Sequence, residues 1–309
     1  MTTIAVIGAG LIGRAWSIVF ARAGFDVALW DPAPAAVPAA CGFIAARLPE
    51  LHAAGLLAET AETVLARVRP AATLAAALVR ADHVQENGPE RVADKAALFA
   101  ELDRLAPPGA VLASSTSGIP ASAFTATLAG RARCLVAHPV NPPYLIPLVE
   151  LCPTPWTDPT TLARTRDLMR RAGQAPVTVA KEVAGFALNR LQGALLAEAF
   201  RLVADGVISP EDLDATVKHG LGTRWSFMGP FETIDLNAPG GLADYCARYG
   251  VLFAQMQQEM TPMAWDAALV ARLHAARREA LAEPDVPARH AWRDRRLMAL
   301  AAHKADQPE

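Results

Sequence analysis

A glycine-rich segment near the start of the sequence, Gly8-Ala9-Gly10-Leu11-Ile12-Gly13, constrains the fold more than any other feature. The apolar run at residues 4–7 before it is typical of a buried strand, and residues 11–23 have the apolar spacing of a helix. In such a strand–turn–helix unit the first glycine permits a tight turn, the second lets the backbone approach a pyrophosphate, and the third lets the helix pack against the strand. The helix N-terminus presents N–H groups to the phosphates. The segment therefore predicts a dinucleotide site formed by Gly8, Gly10, Leu11, Ile12 and Gly13.

Asp31 favours NAD over NADP as the dinucleotide. It stands at the end of the next predicted strand, residues 25–30, and lies 18 residues beyond Gly13. A carboxylate at this place accepts hydrogen bonds from the ribose hydroxyls and repels a 2′-phosphate. The residues that follow, Pro32-Ala33-Pro34-Ala35, supply no arginine for such a phosphate.

The remaining pattern divides the chain into two domains. Further strands are predicted at residues 83–86, 110–113, 134–137, 148–151 and 177–180. Strands that alternate with helical segments imply an α/β fold with a mostly parallel, Rossmann-type sheet. Beyond about Gly185 the pattern changes to helices and turns, beginning with a predicted helix at 186–204, without a convincing strand. We therefore predict an NAD-binding Rossmann domain over 1–187 and an all-α C-terminal domain over 188–309.

Composition excludes several other classes of protein. A chain of 309 residues with 52% apolar and 19% charged residues can bury a large core. Its longest uncharged stretch, 105–130, is rich in proline, glycine and hydroxyl residues, and so does not predict a membrane helix. The formal net charge of −2 predicts no nucleic-acid partner.

The sequence opens directly into the first strand without a signal peptide, which predicts a cytoplasmic protein. Its four cysteines form no C-x-x-C motif, so we expect free thiols and no zinc site.

Four polar residues in the predicted loops and strands suggest a catalytic site when they are considered together. Ser117 follows one strand, His138 ends the next, Glu150 lies within an apolar strand, and Asn189 lies near the start of the second domain. Each alone has a structural explanation, such as a turn, an ion pair or a solvated surface. Oxidation of an alcohol needs a base near neutral pH, which histidine provides. A glutamate can stabilise the imidazolium, while serine and asparagine hydrogen-bond the reacting oxygen.

These motifs resemble the 3-hydroxyacyl-CoA dehydrogenase family, and within it the L-gulonate 3-dehydrogenase (lambda-crystallin) branch. The resemblance covers nearly the whole chain and is carried by residues 8–13, 114–117, 138–144, 147–151, 181–186, 189–192, 229–233 and 236–238. It implies an NAD-dependent dehydrogenase with a His138–Glu150 catalytic dyad, in which Ser117 and Asn189 orient the substrate.

The resemblance also implies further cofactor contacts and a homodimer. Asp31, Glu90 and Lys95 would lie along the dinucleotide, and Asn141 near the nicotinamide. The residues themselves indicate only that Glu90 and Lys95 are a pair on a solvated helix start. Apolar residues of the second domain fit either a dimer interface or a monomer core, and these are Leu242, Tyr245, Tyr249 and Leu252.

Two features favour a small free acid over a thioester as substrate. Acyl-CoA members of the family place serine and lysine on the helix after the second strand, whereas residues 33–46 contain no lysine, arginine or serine. Arg224 lies among aromatic residues, and can either clamp a free carboxylate or make a cation–π or interface contact. We therefore expect oxidation of a 3-hydroxy acid such as L-gulonate to 3-dehydro-L-gulonate. The alternatives are a 3-hydroxybutyryl-CoA dehydrogenase and a non-catalytic, crystallin-like structural protein.

Overall fold

The computed structural model describes residues 2–261 and 263–307. Its contacts divide the chain into a first unit, residues 1–189 with 289–309, and a second unit, residues 190–288. The sequence-based division ran from 188 to the C-terminus without a break, whereas the contacts group the C-terminal segment with the first unit. Met298 explains this grouping, because it is buried in the apolar core of the first unit. Asp294 adds an ion pair with Arg47 of that unit, with 3.7 Å between Oδ2 and Nη2.

The first unit contains a sheet with helices on both faces. Its strands are β1 (Thr3–Ile7), β2 (Asp26–Trp30), β3 (Val68–Pro70), β4 (His83–Glu86), β5 (Val111–Ser114), β6 (Cys134–Pro139), β7 (Leu148–Pro153) and β8 (Ala175–Thr178). The helices between them are α1 (Leu11–Arg22), α2 (Ala36–Ala53), α3 (Ala61–Leu65), α4 (Leu74–Leu78), α5 (Val92–Leu105), α6 (Ser122–Thr125) and α7 (Pro159–Arg171).

The second unit is helical. Its helices are α8 (Leu188–Ala204), which begins in the first unit, α9 (Pro210–Thr216), α10 (Gly222–Trp225), α11 (Pro230–Asp235), α12 (Gly241–Glu259) and α13 (Ala267–Ala280). The last helix, α14 (Val286–Ala305), leads back to the first unit. The described residues of the second unit contain no strand, so the predicted helical C-terminal region is confirmed. No helix in the described part of the chain is both long and apolar enough to cross a bilayer.

The sheet has the strand order that the predicted Rossmann-type fold requires. Its order is β3-β2-β1-β4-β5-β6-β7-β8, and every pair is parallel except β6–β7. The order reverses between β1 and β4, and ligands of open α/β sheets bind at the carboxyl end of such a switch point. Side chains of β1 alternate between two cores, with Ile4 and Val6 on one face and Ala5 and Ile7 on the other. The predicted α/β fold with a mostly parallel sheet is confirmed.

Two edge strands differ from the sequence-based prediction. Strand β3 was not predicted because Val68-Arg69-Pro70 is short, contains a charged residue and ends in a proline. Strand β8 begins at Ala175, two residues before the predicted start at 177. It is largely exposed, so its apolar residues do not mark its limits. Both differences lie at the edges of the sheet, where burial imposes the weakest pattern.

Candidate functional site

The glycine turn leaves open space where a phosphate would bind. Gly8 has a φ of +92°, and a Cβ on it would lie 2.8 Å from the backbone oxygen of Asn87. A Cβ on Gly13 would lie 1.7 Å from the backbone oxygen of Gly8, whereas one on Gly10 would meet no atom within 4 Å. Helix α1 begins at Leu11 with no side-chain cap and no acidic residue in its first turn. Its N-terminal N–H groups therefore suit a pyrophosphate, which would occupy the space beside Gly10.

The Asp31 carboxylate is fixed beside this turn. Its Oδ2 accepts a hydrogen bond from the Ala9 N–H at 2.8 Å, and its Oδ1 accepts one from the Ala33 N–H at 2.8 Å. A cavity of about 870 Å³ adjoins it, and its lining includes Trp30, Asp31, Pro34, Val37, Cys41, Pro70, Thr73 and Leu74. Its volume and largely apolar lining suit an adenosine group. The residues of this edge thus fit the predicted dinucleotide.

His138 and Glu150 form a buried hydrogen-bonded pair. They face each other across the antiparallel strands β6 and β7, and Nδ1 of His138 lies 2.8 Å from Oε2 of Glu150. Only 5% of His138 and 1% of Glu150 is exposed. Because an ionised carboxylate only accepts hydrogen bonds, this contact assigns the proton of the neutral imidazole to Nδ1. Nε2 is then the basic nitrogen available to a substrate.

The second oxygen of Glu150 holds the beginning of α8. Oε1 accepts hydrogen bonds from the N–H groups of Ala187 and Leu188, at 2.8 and 2.9 Å. The chain reaches this position through two residues in the left-handed region, Gly185 at φ +76° and Phe186 at φ +51°. A non-glycine residue in this region is unusual and is stabilised by its surroundings. Phe186 is fully buried, and its ring centroid lies 5.5 Å from that of His138.

Ser117 and Asn189 are brought together by a direct contact. Nδ2 of Asn189 donates a hydrogen bond to the backbone oxygen of Ser117 at 2.6 Å. The Gly185 N–H donates to the backbone oxygen of Gly118 at 3.3 Å, which adds a second link between the two segments. Ser117 is exposed, and within the described residues its hydroxyl makes no hydrogen bond. Contacts through Glu150 and α8 therefore connect all four predicted catalytic residues.

Glu90 holds the backbone of the segment that contains Ser117. Its Oε1 accepts hydrogen bonds from the hydroxyl of Thr116 at 2.5 Å, the N–H of Ser117 at 2.8 Å and the N–H of Gly118 at 3.2 Å. Its Oε2 lies 3.5 Å from the Nζ of Lys95. Glu90 is thus in contact with a predicted catalytic segment, in addition to its predicted place beside the dinucleotide.

Lys95 does not lie on a solvated helix start, which corrects the interpretation that its residue type and spacing suggested. It is 1% exposed, and its Nζ lies 3.1 Å from both carboxylate oxygens of Glu86, which is fully buried at the end of β4. Glu86 was not singled out from the sequence. It ends the short strand His83-Val84-Gln85-Glu86, in which only Val84 is apolar, so it lacks the apolar neighbours that drew attention to Glu150.

Two other predicted residues stand apart from these contacts. Asn141 is exposed in the loop after β6. Arg224 is half-buried on α10 of the second unit, and its side chain forms no hydrogen bond or ion pair with any described residue. Their contributions to cofactor and substrate binding remain predictions.

A buried polar chain supports the carboxyl end of β4. His83 Nε2 lies 3.0 Å from Oε1 of Gln85, whose Nε2 donates to the hydroxyl of Ser115 at 2.7 Å and to the backbone oxygen of Ala137 at 3.2 Å. The Ser115 hydroxyl in turn donates to Oδ1 of Asn87 at 2.8 Å. Burial lowers the pKa of His83 to about 4 and so keeps its imidazole neutral. These hydrogen bonds link Asn87, whose backbone oxygen lies next to Gly8, to Ala137 on the strand that carries His138.

Two family models match the chain. The model described as "3-hydroxyacyl-CoA dehydrogenase, NAD binding domain" matches residues 3–183. The model described as "3-hydroxyacyl-CoA dehydrogenase, C-terminal domain" matches residues 185–280.

Similar proteins extend over almost the whole chain. The lambda-crystallin homolog of Bos taurus is 45% identical and covers 99% of this chain and 97% of its own length. An L-carnitine dehydrogenase of Nocardiopsis dassonvillei is 37% identical and covers 97% of this chain and 90% of its own length. Among solved structures, the 5-formyl-3-hydroxy-2-methylpyridine 4-carboxylic acid 5-dehydrogenase, an NAD⁺-dependent dismutase, has a TM-score of 0.86 and 32% identity, with 100% of both chains covered.

Proposed function

The chain belongs to the 3-hydroxyacyl-CoA dehydrogenase family of NAD-dependent oxidoreductases, and we propose that its substrate is a small, free 3-hydroxy acid, with L-gulonate oxidised to 3-dehydro-L-gulonate. The observation that carries the proposal is the buried His138–Glu150 pair, joined through α8 to Ser117 and Asn189. This constellation has a base, a group that stabilises the charged base, and two groups that can hold the reacting oxygen.

Each residue has a distinct part in the proposed oxidation. Bound NAD⁺ supplies the hydride acceptor, and the glycine turn, Asp31, Glu90, Lys95 and Asn141 would hold it. Nε2 of His138 takes the proton of the substrate hydroxyl, while Glu150 stabilises the imidazolium that forms. The hydroxyl of Ser117 and the amide of Asn189 orient the substrate oxygen towards His138.

Three observations support a substrate with a free carboxylate. Arg47, the first cation after residues 33–46, is paired with Glu50 and Asp294, so it is not free to bind a phosphate of coenzyme A. Carnitine and the pyridine carboxylic acid in the names of two similar proteins are free acids. Arg224 has an unpaired guanidinium within the described structure, and we propose that it pairs with the substrate carboxylate.

We also propose that two copies of the chain form a homodimer through the second unit. Helix α12 contains no buried residue although it is rich in apolar side chains. Its exposed residues include Tyr249, Val251, Leu252, Phe253 and Met256. Apolar side chains exposed together on one helix indicate an interface.

The four cysteines have free thiols, which supports the cytoplasmic location expected from the sequence.

The proposed substrate can be tested by comparing kcat/KM for four compounds. L-Gulonate, 3-hydroxybutyrate, L-carnitine and 3-hydroxybutyryl-CoA are oxidised under identical conditions, and NADH is measured at 340 nm. We expect a free acid to exceed the thioester by at least about tenfold, which corresponds to about 1.4 kcal/mol of transition-state binding. A thioester preferred by the same factor would overturn the proposal. In the Arg224→Met variant, KM for the free acid should rise while turnover of the thioester stays unchanged.

A further inference from the structure

We propose that Glu86 is a positioning residue for the substrate-binding serine and that it acts through Lys95 and Glu90. The contacts form one continuous series from Glu86 to Lys95, from Lys95 to Glu90, and from Glu90 to the N–H groups of Ser117 and Gly118. The inference rests on the proposed function, in which Ser117 and Asn189 orient the substrate oxygen.

The burial of Lys95 gives it a structural role in addition to its predicted place beside the dinucleotide. Only 1% of its surface is exposed, and its ammonium lies between two carboxylates. A buried ion pair adds little net stability, because the loss of hydration offsets most of the attraction. In some proteins such a pair instead fixes one arrangement of nearby groups. Here the nearby group is Glu90.

Glu90 needs such an anchor because its side chain is 46% exposed. A free glutamate at the surface samples several rotamers and would not hold a loop. Its Oε2 is held by Lys95, and this leaves Oε1 directed at the Thr116 hydroxyl and the N–H groups of Ser117 and Gly118. The direction of the Ser117 backbone is therefore set by the buried ammonium.

Glu86 also holds the start of the same segment. Its Oε2 accepts a hydrogen bond from the hydroxyl of Ser114 at 2.5 Å, and its Oε1 accepts one from the N–H of Gly88 at 2.6 Å. The segment 114–118 is thus attached at its beginning to Glu86 and at its end to Glu90. The backbone oxygen of Ser117 within it accepts the amide of Asn189, so a displaced segment would misplace both substrate-orienting residues.

The test removes the charges of the pair together, so that no buried charge is left without a partner. The double variant Glu86→Gln/Lys95→Met keeps similar side-chain volumes and leaves Glu90 without its anchor. Hydrogen exchange of the peptide that spans residues 114–119 is measured in the protein without substrate or NAD, and kcat is measured at saturating NAD. We expect exchange to accelerate at least about tenfold and kcat to fall at least about tenfold.

A second, partly buried ion pair in the same unit provides the control. Arg133 and Asp103 are 13% and 12% exposed, with 2.8 Å between Nη2 and Oδ1, and neither contacts the segment 114–118. The variant Asp103→Asn/Arg133→Met should lower Tm without changing kcat or the exchange of this peptide.

The outcomes separate this inference from the proposed function. Unchanged exchange in Glu86→Gln/Lys95→Met would overturn the inference, whatever the activity. Faster exchange with unchanged kcat would instead contradict the use of Ser117 in the proposed reaction. Faster exchange with reduced kcat supports both.

Discussion

His138 and Glu150 are paired twice, once as backbone partners across β6 and β7 and once through the 2.8 Å contact between Nδ1 and Oε2. Residues directly opposite each other on paired strands present their side chains on the same face of the sheet. A slip of one residue in this register would move one partner to the opposite face. The rigid sheet, rather than a loop, therefore sets the geometry of the proposed base.

Replacing His138 tests the proposed base directly. His138→Ala should lower kcat by about 10²–10⁴, which is the usual contribution of general acid–base catalysis. The glycine turn and Asp31 do not contact His138, so the Kd for NAD should be close to that of the parent enzyme. Fluorescence titration measures that Kd and stopped-flow absorbance at 340 nm measures turnover. A variant that lost NAD binding would indicate a structural histidine instead.

Replacing Glu150 should have a second effect, on stability, that replacing His138 does not have. In Glu150→Gln the amide can donate to Nδ1 and so favour the wrong tautomer of His138, and kcat should fall by about 10² or more. The carboxylate that caps the N–H groups of Ala187 and Leu188 also becomes a weaker acceptor. Thermal unfolding should therefore show a lower Tm for Glu150→Gln than for His138→Ala. Equal Tm values would mean that the α8 contact contributes nothing to stability.

The sequence predicted the parts of the molecule that follow local rules. A Cβ at Gly8 or Gly13 would clash with neighbouring backbone, so only glycine fits at these positions. The glycine pattern in the sequence therefore predicts the turn directly. The order of strands and helices follows from apolar periodicity, so the α/β fold and the helical second region were predictable. Asp31 was identifiable because a strand end at a fixed distance from the turn places it beside the ribose site.

Tertiary contacts account for what the sequence did not reveal. From its own helix alone, Lys95 was interpreted as a solvated residue. In the fold it is buried, because Glu86 from β4 pairs with it. The affiliation of residues 289–309 depends on Met298 and on the ion pair between Asp294 and Arg47. Neither contact can be recognised from the sequence of the helix alone. Contacts between distant segments have no pattern in a single sequence.

Gly10 and Gly13 should respond differently to the same substitution. A Cβ on Gly10 meets no atom within 4 Å, so Gly10→Ala should fold with an unchanged Tm. The added methyl group would occupy the space expected for the pyrophosphate, and the Kd for NAD should rise at least about tenfold. Gly13→Ala should lower Tm, because its Cβ would lie 1.7 Å from the backbone oxygen of Gly8. Calorimetry of both variants checks this, and tight NAD binding by Gly10→Ala would contradict the predicted phosphate position.

Asp31 should determine the choice between NAD and NADP. Asp31→Asn keeps an acceptor for the N–H groups of Ala9 and Ala33 but removes the charge that repels a 2′-phosphate. We expect the Kd for NAD to rise by about tenfold and that for NADP to fall, as measured by fluorescence titration. Asp26, a carboxylate at the opposite end of β2, provides the matched control. An Asp26→Asn variant with the same shift would show that net charge, and not the position of Asp31, governs the preference.

His83 should make the stability of the protein depend on pH. Burial lowers its pKa from 6.5 to about 4 in the folded protein, so the unfolded chain takes up the proton first as the pH falls. Folding stability is therefore complete above about pH 6.5 and declines towards pH 4, by about 2 kcal/mol between pH 7 and pH 5. His83→Gln keeps an N–H donor for Oε1 of Gln85 and should remove this part of the decline. Urea unfolding at both pH values measures the difference, with the exposed His52→Gln as the matched control. If His52→Gln and His83→Gln flattened the decline equally, the buried imidazole would not be its source.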